Sequence, residues 1–192
     1  MNASTSIVID LPDWIWERVA AVGPLATVED RMSFVIELAA ANVADGGGPF
    51  GAGVFDADGY LIAPGVNRVV PASAPIAHAE VVAIAMAGQR LGTWDLASAG
   101  AFELVTTTEP CAMCLGAVPW SGVQRLVCGA RDEDARSVGF DEGHKPSDWV
   151  ERLVADGIEV VVDVERSAAT KVLTDYASQG GSIYNGGEAA GA

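Results

Sequence analysis

The sequence predicts an α/β fold in which helices cover both faces of a central mixed sheet of five strands. Two observations carry this prediction. A β-hairpin comes first, and repeated helix–strand units follow it; such units pack as a sheet with helices on its faces. The chain has 192 residues, of which 50% are hydrophobic. That length suits one domain that buries roughly 70% of its unfolded surface.

Each element follows from hydrophobic spacing and from turn residues. Thr27 and Asp30 resemble a capping box that opens a helix, and apolar residues then recur at the helical period to about Asn42. The turn at 56–59 ends in a glycine, where a positive φ is expected, so it joins two strands. In chain order, helices are predicted at 10–19, 28–42, 77–90, 110–120, 148–155 and 167–178, strands at 50–55, 60–67, 104–107, 126–130 and 158–164, and loops around Pro71 and Pro75 and at 131–147.

The chain divides into three predicted segments. Residues 1–26 form an N-terminal helical extension, residues 27–185 form the main domain, and residues 186–192 form a Gly/Ala-rich tail that we expect to be disordered. Ligands of layered α/β folds bind at the carboxyl ends of strands, beside helix N-termini. The chemistry of the protein is therefore expected at that edge of the sheet.

Composition and charge argue against several classes of function. The formal net charge is −15, and no two basic residues lie closer than five positions apart, whereas proteins that bind nucleic acid cluster Lys and Arg. No apolar run approaches the roughly 20 residues that span a bilayer, and residues 1–10 lack a signal-peptide pattern. Three cysteines favour free or metal-bound thiols in the cytoplasm over a disulfide framework. We expect neither a nucleic-acid partner nor a membrane.

Three potential ligands for a soft metal stand at the starts of two predicted helices. His78 begins one helix, and Cys111 and Cys114 begin another, spaced so that both sulfurs share one helix face. The positive end of a helix lowers thiol pKa values, which favours thiolate ligands. Three protein ligands leave one position of a tetrahedral zinc open, as in catalytic sites. Taken alone, however, a Cys-x-x-Cys pair is weak evidence, and a lone His is more often a core residue.

Glu80 lies two residues after His78 and supplies a candidate general base. A carboxylate beside a zinc-bound water can take its proton and then deliver it to a substrate. His78 and Glu80 together with Pro110-Cys-Ala-Met-Cys114, separated by a strand, match the H-x-E…P-C-x-x-C signature of zinc deaminases.

Over residues 31–185 the chain resembles the cytidine deaminase superfamily and, within it, the bacterial guanine deaminases. The resemblance implies a three-layer α/β/α cytidine-deaminase-like fold, with residues 27–185 as the deaminase domain and one Zn²⁺ per chain. It also implies hydrolysis of a free amino-heterocycle, chiefly guanine to xanthine plus ammonia. The motif at 139–143 narrows the likeness to the branch that deaminates guanine and the triazine ammeline. The matching stretches are 48–51, 65–69, 78–80, 109–114, 139–143 and 182–185.

The same resemblance implies roles for further residues. Glu142 matches a second catalytic glutamate, which relays a proton and holds the amino edge of the base. Tyr184 lies in the C-terminal segment that closes the active site in these enzymes, which are homodimers and sometimes exchange that segment between subunits. The residues expected to contact the base are Asn67, the backbone of Ala79, Phe50, Phe140 and Tyr184.

The residues themselves leave plainer interpretations open. Without the resemblance, Glu142 is one more solvated acid, Asn67 caps a turn, and Phe50 and Phe140 belong to the core.

Three further residues have candidate roles: Cys128 is expected to be a buried apolar residue, His144 to lie in a loop without binding metal, and Trp120 either to pack under the zinc helix or to line the pocket.

Rival functions make different demands on the sequence. A cytidine deaminase usually carries Arg-Gln after the second motif cysteine, where this chain has Leu115-Gly116. Nucleotide and transfer-RNA adenosine deaminases need phosphate contacts, which the sparse basic residues disfavour. Cytosine-type and nucleoside deaminases differ from guanine deaminases by a few pocket contacts and stay open. A non-catalytic zinc-binding module would want a fourth protein ligand and would not need Glu80.

Overall fold

The computed structural model describes residues 7–185, so the predicted tail at 186–192 lies outside the described residues. Thirteen labelled elements form this part of the chain. They are α1 (Asp13–Ala21), α2 (Val28–Ala44), β1 (Gly51–Asp56), β2 (Leu61–Val66), α3 (Val69–Ala72), α4 (Ala79–Leu91), β3 (Phe102–Thr108), α5 (Ala112–Ser121), β4 (Arg125–Ala130), α6 (Asp132–Ser137), α7 (Trp149–Ala155), β5 (Glu159–Val161) and α8 (Arg166–Ser178). Within residues 7–185, no helix is long and apolar enough to cross a membrane.

The five strands form one mixed sheet in the order β2-β1-β3-β4-β5. β1 pairs antiparallel with β2 and β3, while β3–β4 and β4–β5 are parallel pairs. Helices follow the strands of the parallel part, as crossover connections require. The predicted α/β fold with a mixed five-stranded sheet is confirmed.

Alternate side chains of the strands supply two separate cores. Leu104 and Leu126 pack with α4, α5 and α7 on one face, whereas Val105 and Val127 pack with α2 on the other. This period of two is what a sheet covered on both faces requires. α1 lies in the predicted N-terminal extension and buries Ile15 against α2 and β2.

Local sequence explains the start of α2 but not the start of α5. At the start of α2 the amide of Asp30 donates to Thr27 Oγ1 at 3.0 Å, and the amide of Thr27 donates to Asp30 Oδ2 at 3.3 Å, so the predicted capping box is present. At the start of α5, Pro110 stands outside the helix and Cys111 is the N-cap. The helix predicted at 110–120 therefore begins two residues later than expected, at Ala112.

Two predicted loops contain short helices. The loop around Pro71 includes α3, which tolerates this proline because first-turn amides have no partner within a helix. The loop at 131–147 includes α6, where the amide of Arg131 donates to Asp134 Oδ2 at 2.8 Å. The first turn of α6 is acidic, which suits the positive end of a helix.

The last strand is shorter than predicted. β5 ends at Val161 rather than at 164, and Asp163 adopts a positive φ of 64°. A left-handed residue breaks the extended backbone. The amide of Val164 still donates to Cys128 O at 3.1 Å, so the segment remains attached to β4.

Gly65 sets how closely α4 approaches the sheet. A Cβ atom at this position would lie 2.7 Å from the amide nitrogen of Ala83 and would collide with the carbonyl oxygen of Ala79. Both obstacles are helix backbone, which cannot rotate away. The first turn of α4, which carries Glu80, is therefore held directly against β2.

Replacing Gly65 with Ala should lower the free energy of unfolding by about 1–3 kcal/mol, because the helix has to move away from the strand. Gly116→Ala is the matched control: its added Cβ meets nothing within 4 Å, and alanine favours the helix by roughly 1 kcal/mol. Urea unfolding of both variants checks the difference. Equal stability of the two variants would contradict the close packing described here.

Candidate active site

Three ligand atoms converge where α4 and α5 begin. His78 is the N-cap of α4, Cys111 is the N-cap of α5, and Cys114 lies in the first turn of α5. The sulfurs of Cys111 and Cys114 each lie 3.5 Å from His78 Nδ1, and the ligand atoms all lie within 4.8 Å of one another. The structure therefore brings the three predicted ligands together.

The donor set fits zinc. Zn–S and Zn–N bonds of about 2.3 and 2.0 Å at a tetrahedral angle separate the two ligand atoms by about 3.5 Å, which is the separation between His78 Nδ1 and each sulfur. Two soft sulfurs and one imidazole nitrogen match the preference of this metal. His78, Cys111 and Cys114 would hold the ion and leave room for a fourth, non-protein ligand.

The electrostatics of the cluster favour a thiolate at Cys111. Hydrogen bonding by the Cys114 side chain, and then by His78, lowers the pKa of Cys111 to about 4 against the opposing effect of burial. Burial would lower the pKa of His78, but its hydrogen bond to Cys111 and the charge of Glu80 raise that pKa overall.

Glu80 lies in the first turn of α4 and is buried, with 6% of its surface exposed. Its pKa is raised, first by burial and then by the negative charge of Cys111. A carboxyl group in such a place exchanges protons closer to neutral pH than a solvated one does. A residue that acts first as a base and then as an acid needs a pKa raised in this way.

Glu142 is also buried rather than solvated, with 6% exposed. Burial, followed by the negative charges of Cys111 and Glu80, raises the pKa of Glu142 to about 8. Its carbonyl oxygen accepts a hydrogen bond of 2.9 Å from the amide of Ala112, at the start of α5. The interpretation of Glu142 as one more solvated acid is therefore wrong, and the structure places it in the same pocket as Glu80.

Aromatic rings enclose the pocket. Phe140 meets Phe50 edge to face at 4.9 Å between ring centroids and meets Tyr184 in the same way at 5.2 Å. The inner pocket has a volume of about 40 Å³ and adjoins a wider outer pocket of about 710 Å³. Both pockets are lined by His78, Cys111 and Glu142.

Asn67 is buried where β2 ends, and Asn42 holds this part of the chain. Asn42 Nδ2 donates to the carbonyl oxygens of Gly48 and Asn67, each at 2.8 Å, and Asn42 Oδ1 accepts from Arg68 at 3.1 Å. Asn67 Oδ1 accepts from the amide of Val69 at 3.2 Å, which is the turn contact of the plainer interpretation. The sequence analysis did not identify Asn42 or Arg68. An asparagine on the otherwise apolar face of a helix is a signal that could have pointed to Asn42.

The chain's own C-terminal segment closes the pocket in this structure. Asn185 Nδ2 donates to Gly139 O at 3.0 Å, and Asn185 Oδ1 accepts from the amide of Asp141 at 2.8 Å. The hydroxyl of Tyr184 is buried, and no residue within 7–185 hydrogen-bonds it. It lies beside Gly48, where an added Cβ would collide with it. A buried hydroxyl of this kind is suited to a polar ligand.

Several sequence expectations concern residues away from the pocket. Trp120 is 86% exposed, so both predicted roles, packing under the zinc helix and lining the pocket, are wrong. His144 lies exposed in its loop and outside the metal cluster. Cys128 is fully buried within the hydrophobic core, as predicted. Ala79 is buried at the first position of α4, so its backbone adjoins the site.

Sequence comparison assigns the family. Residues 26–130 match the family model of the cytidine and deoxycytidylate deaminase zinc-binding region, and the chain belongs to this family of zinc-binding deaminases.

Within the family, the chain is similar to guanine deaminases. It is 45% identical to the solved guanine deaminase from Nitrosomonas europaea, with a TM-score of 0.88 over 93% of this chain and 100% of that one. The chain is also 48% identical to the protein NE0047, whose crystal structure was solved in complex with 2,6-diaminopurine. The two structures superpose with a TM-score of 0.88 over 94% of this chain and 97% of that one. Guanine deaminase of Bacillus subtilis is 45% identical over 96 residues, which are 50% of this chain and 59% of that protein.

We expect the purified protein to hold one zinc ion per chain, and Cys114→Ser to lose most of it, because a hydroxyl is a much poorer zinc ligand than a thiolate. Cys128→Ala is the control, since Cys128 is buried in the core outside the cluster. Metal analysis by plasma mass spectrometry checks both. Full zinc content in Cys114→Ser, or its loss in Cys128→Ala, would contradict the ligand assignment.

Proposed function

We propose that the protein is a zinc-dependent deaminase that hydrolyses guanine to xanthine and ammonia. One observation carries the proposal: a buried carboxyl with a raised pKa, that of Glu80, lies beside a three-ligand zinc site in an aromatic pocket. Similarity to guanine deaminases over nearly the whole chain supports guanine as the substrate. Ammeline and other amino-triazines present a similar amidine edge and are proposed as further substrates.

The reaction replaces an exocyclic amine by oxygen. Bound zinc supplies the acid strength that makes a coordinated water nucleophilic near pH 7. We propose that Glu80 accepts a proton from the attacking water and delivers it to a ring nitrogen of guanine, so that the ring carbon becomes tetrahedral. Burial of Glu80 favours this cycling, because it raises the pKa of the carboxyl above its usual value and so makes the proton easier to retain and pass on.

Departure of ammonia requires a second proton transfer. The pKa of Glu142 is about 8, which keeps much of this carboxyl protonated at neutral pH. It is proposed to protonate the amino nitrogen before the carbon–nitrogen bond breaks and to regain a proton from the new hydroxyl as the carbonyl forms. Glu80 lies in the same pocket and is the alternative donor. Two carboxyl groups thus divide activation of the water from protonation of the leaving group.

The remaining predicted site residues are proposed to bind the base. The rings of Phe50 and Phe140 offer apolar faces to a flat heterocycle. Asn67 and the Ala79 backbone are proposed to hydrogen-bond its edge. The hydroxyl of Tyr184, which has no hydrogen-bond partner within residues 7–185, is proposed to bind a further polar atom.

We also propose where the enzyme acts and in which oligomeric state. Three free cysteines, each buried, favour a reducing compartment such as the cytoplasm and a role in purine breakdown. We propose a homodimer that acts on free bases rather than on nucleic acid, since a formal net charge of −15 repels polyanions. Exchange of the C-terminal segment between subunits remains a prediction.

The function is tested by ammonia release from guanine, ammeline, guanosine, adenine, cytosine, cytidine and transfer RNA. Guanine should be turned over fastest by the zinc-loaded protein. Glu80→Gln should keep its zinc yet lose at least about 100-fold in kcat, because it removes the general base. Glu151→Gln, on the exposed surface of α7, is the matched control. Faster release from cytidine or transfer RNA than from guanine would overturn the substrate assignment, and full turnover by Glu80→Gln would overturn the mechanism.

Glu142→Gln should lower kcat for guanine by about 100-fold or more and remove the alkaline limb of the pH–rate profile. In the unaltered protein activity should fall as the pH rises towards about 8, because the Glu142 carboxyl loses the proton that it donates. Zinc favours the ionised carboxyl, so this limb should lie at or below pH 8.

An independent readout uses the metal-free protein. The pKa of Glu142 is raised from 4.5 to about 8 in the fold, so the contribution of this group to stability is lost as the pH rises from about 4.5 to about 8. The melting temperature of the unaltered protein should therefore fall relative to that of Glu142→Gln over this window. Identical pH dependence in both proteins would contradict the buried, neutral state of Glu142.

A further inference from the structure

Lys145 carries a buried ammonium group next to the pocket, with 7% of its side chain exposed. Its Nζ donates to Glu109 Oε2 and to the carbonyl oxygen of Pro110, each at 3.2 Å, and lies 3.2 Å from Asp132 Oδ1. It also stands over the ring of Trp149 at 5.0 Å from the centroid. Two hydrogen bonds, a further ion pair and an aromatic ring therefore surround this ammonium.

Burial of a charged lysine is costly. Removing an ammonium ion from water costs several kcal/mol, and close partners are needed to offset that cost. Two carboxylates, a carbonyl oxygen and an aromatic face supply them here. The chain's other lysine, Lys171, shows the ordinary arrangement: its side chain is 71% exposed and pairs with Asp175 on one helix. A loop lysine that only solubilised the surface would resemble Lys171.

The contacts of Lys145 join two loops, one that carries Glu142 and one that leads to Cys111. Lys145 follows Glu142 by three residues, and its partners Glu109 and Pro110 directly precede Cys111. The amide of Ala112 makes the second link between these loops, by donating to Glu142 O at 2.9 Å. The loop with the buried acid and the loop with the zinc ligand are thus fastened at two points, one on each side of the metal ligand.

The acids are fixed as well. Glu109 Oε2 also accepts from the amide of Asp132 at 3.2 Å, at the start of α6. Asp132 pairs in addition with Arg136. The ammonium therefore binds to acids that a backbone amide and Arg136 already orient, which makes it a rigid link rather than a flexible surface pair.

We propose that Lys145 is a positioning residue, which holds the Glu142 loop against the Cys111 loop and so sets the distance between the acid and the zinc ligands. The inference rests on the proposed function for its kinetic consequence. A donor displaced by about 1 Å loses up to 100-fold in rate, whereas binding of the flat base by the aromatic rings is much less sensitive to that displacement.

The test compares Lys145→Met, which removes the charge and keeps an unbranched side chain only one atom shorter, with Lys171→Met as the matched control. Both are measured as zinc-loaded protein at 25 °C for kcat with guanine, for inhibition by xanthine, for zinc per chain, and for amide hydrogen exchange. Lys145→Met should keep its zinc and its xanthine inhibition constant within about threefold, while kcat falls about 10- to 100-fold. Exchange should rise at residues 109–115 and 139–147, and Lys171→Met should match the unaltered protein throughout.

Lys145→Gln is the second variant, since its shorter neutral amide can donate to one acceptor and relieve the buried acids if Lys145→Met does not fold. The same changes in kcat and exchange are expected of it. A kcat within twofold of the unaltered protein, or unchanged exchange at both loops, would overturn the role of Lys145. Absence of guanine turnover by the unaltered protein and by Lys171→Met would instead refute the proposed function, and the exchange measurement would still decide whether Lys145 joins the loops.

Discussion

The whole site depends on one constraint, which is that the first turns of α4 and α5 have to meet at the same edge of the sheet. α5 starts there because β3 delivers the chain through Glu109 and Pro110 to Cys111. α4 starts there because Gly65 lets it lie directly on β2. A displacement of either helix by one or two ångströms would separate His78 Nδ1 from the two sulfurs, which now lie 3.5 Å away.

Burial raises the pKa values of the two acids that lie beside the metal ligands. Glu80 and Glu142 are each 6% exposed, and burial is the first cause of the raised pKa of both. In such a place electrostatic interactions act with little screening, and a carboxyl can donate a proton near neutral pH. The aromatic rings that line the same pocket as the acids also offer a flat apolar surface. One arrangement therefore accounts for the raised pKa values and suits the flat substrate that we propose.

The sequence predicted what depends on neighbours close along the chain. Helical spacing identified Cys111 and Cys114 as a pair, and the capping pattern located the start of α2, because both are local properties. The links made by Asn42, Lys145 and Asn185 were not predicted, since each joins segments that are distant in sequence. The expected loop around 144–146 looks ordinary until the fold places Glu109 and Asp132 around Lys145. The position of Trp120 was predicted wrongly for another reason: an apolar helix does not reveal from its sequence which of its faces stays exposed.

X-ray absorption at the zinc edge tests the central claim most directly, since it reports the atoms bound to the metal in the intact protein. Two helix starts that share one ion should give two sulfurs at about 2.3 Å and two lighter atoms, nitrogen or oxygen, at about 2.0 Å. Three or four sulfurs would mean that the metal draws thiolates from elsewhere, such as Cys128 or a second chain. A single sulfur would mean that α5 does not present both cysteines to the metal, and either result would contradict the account.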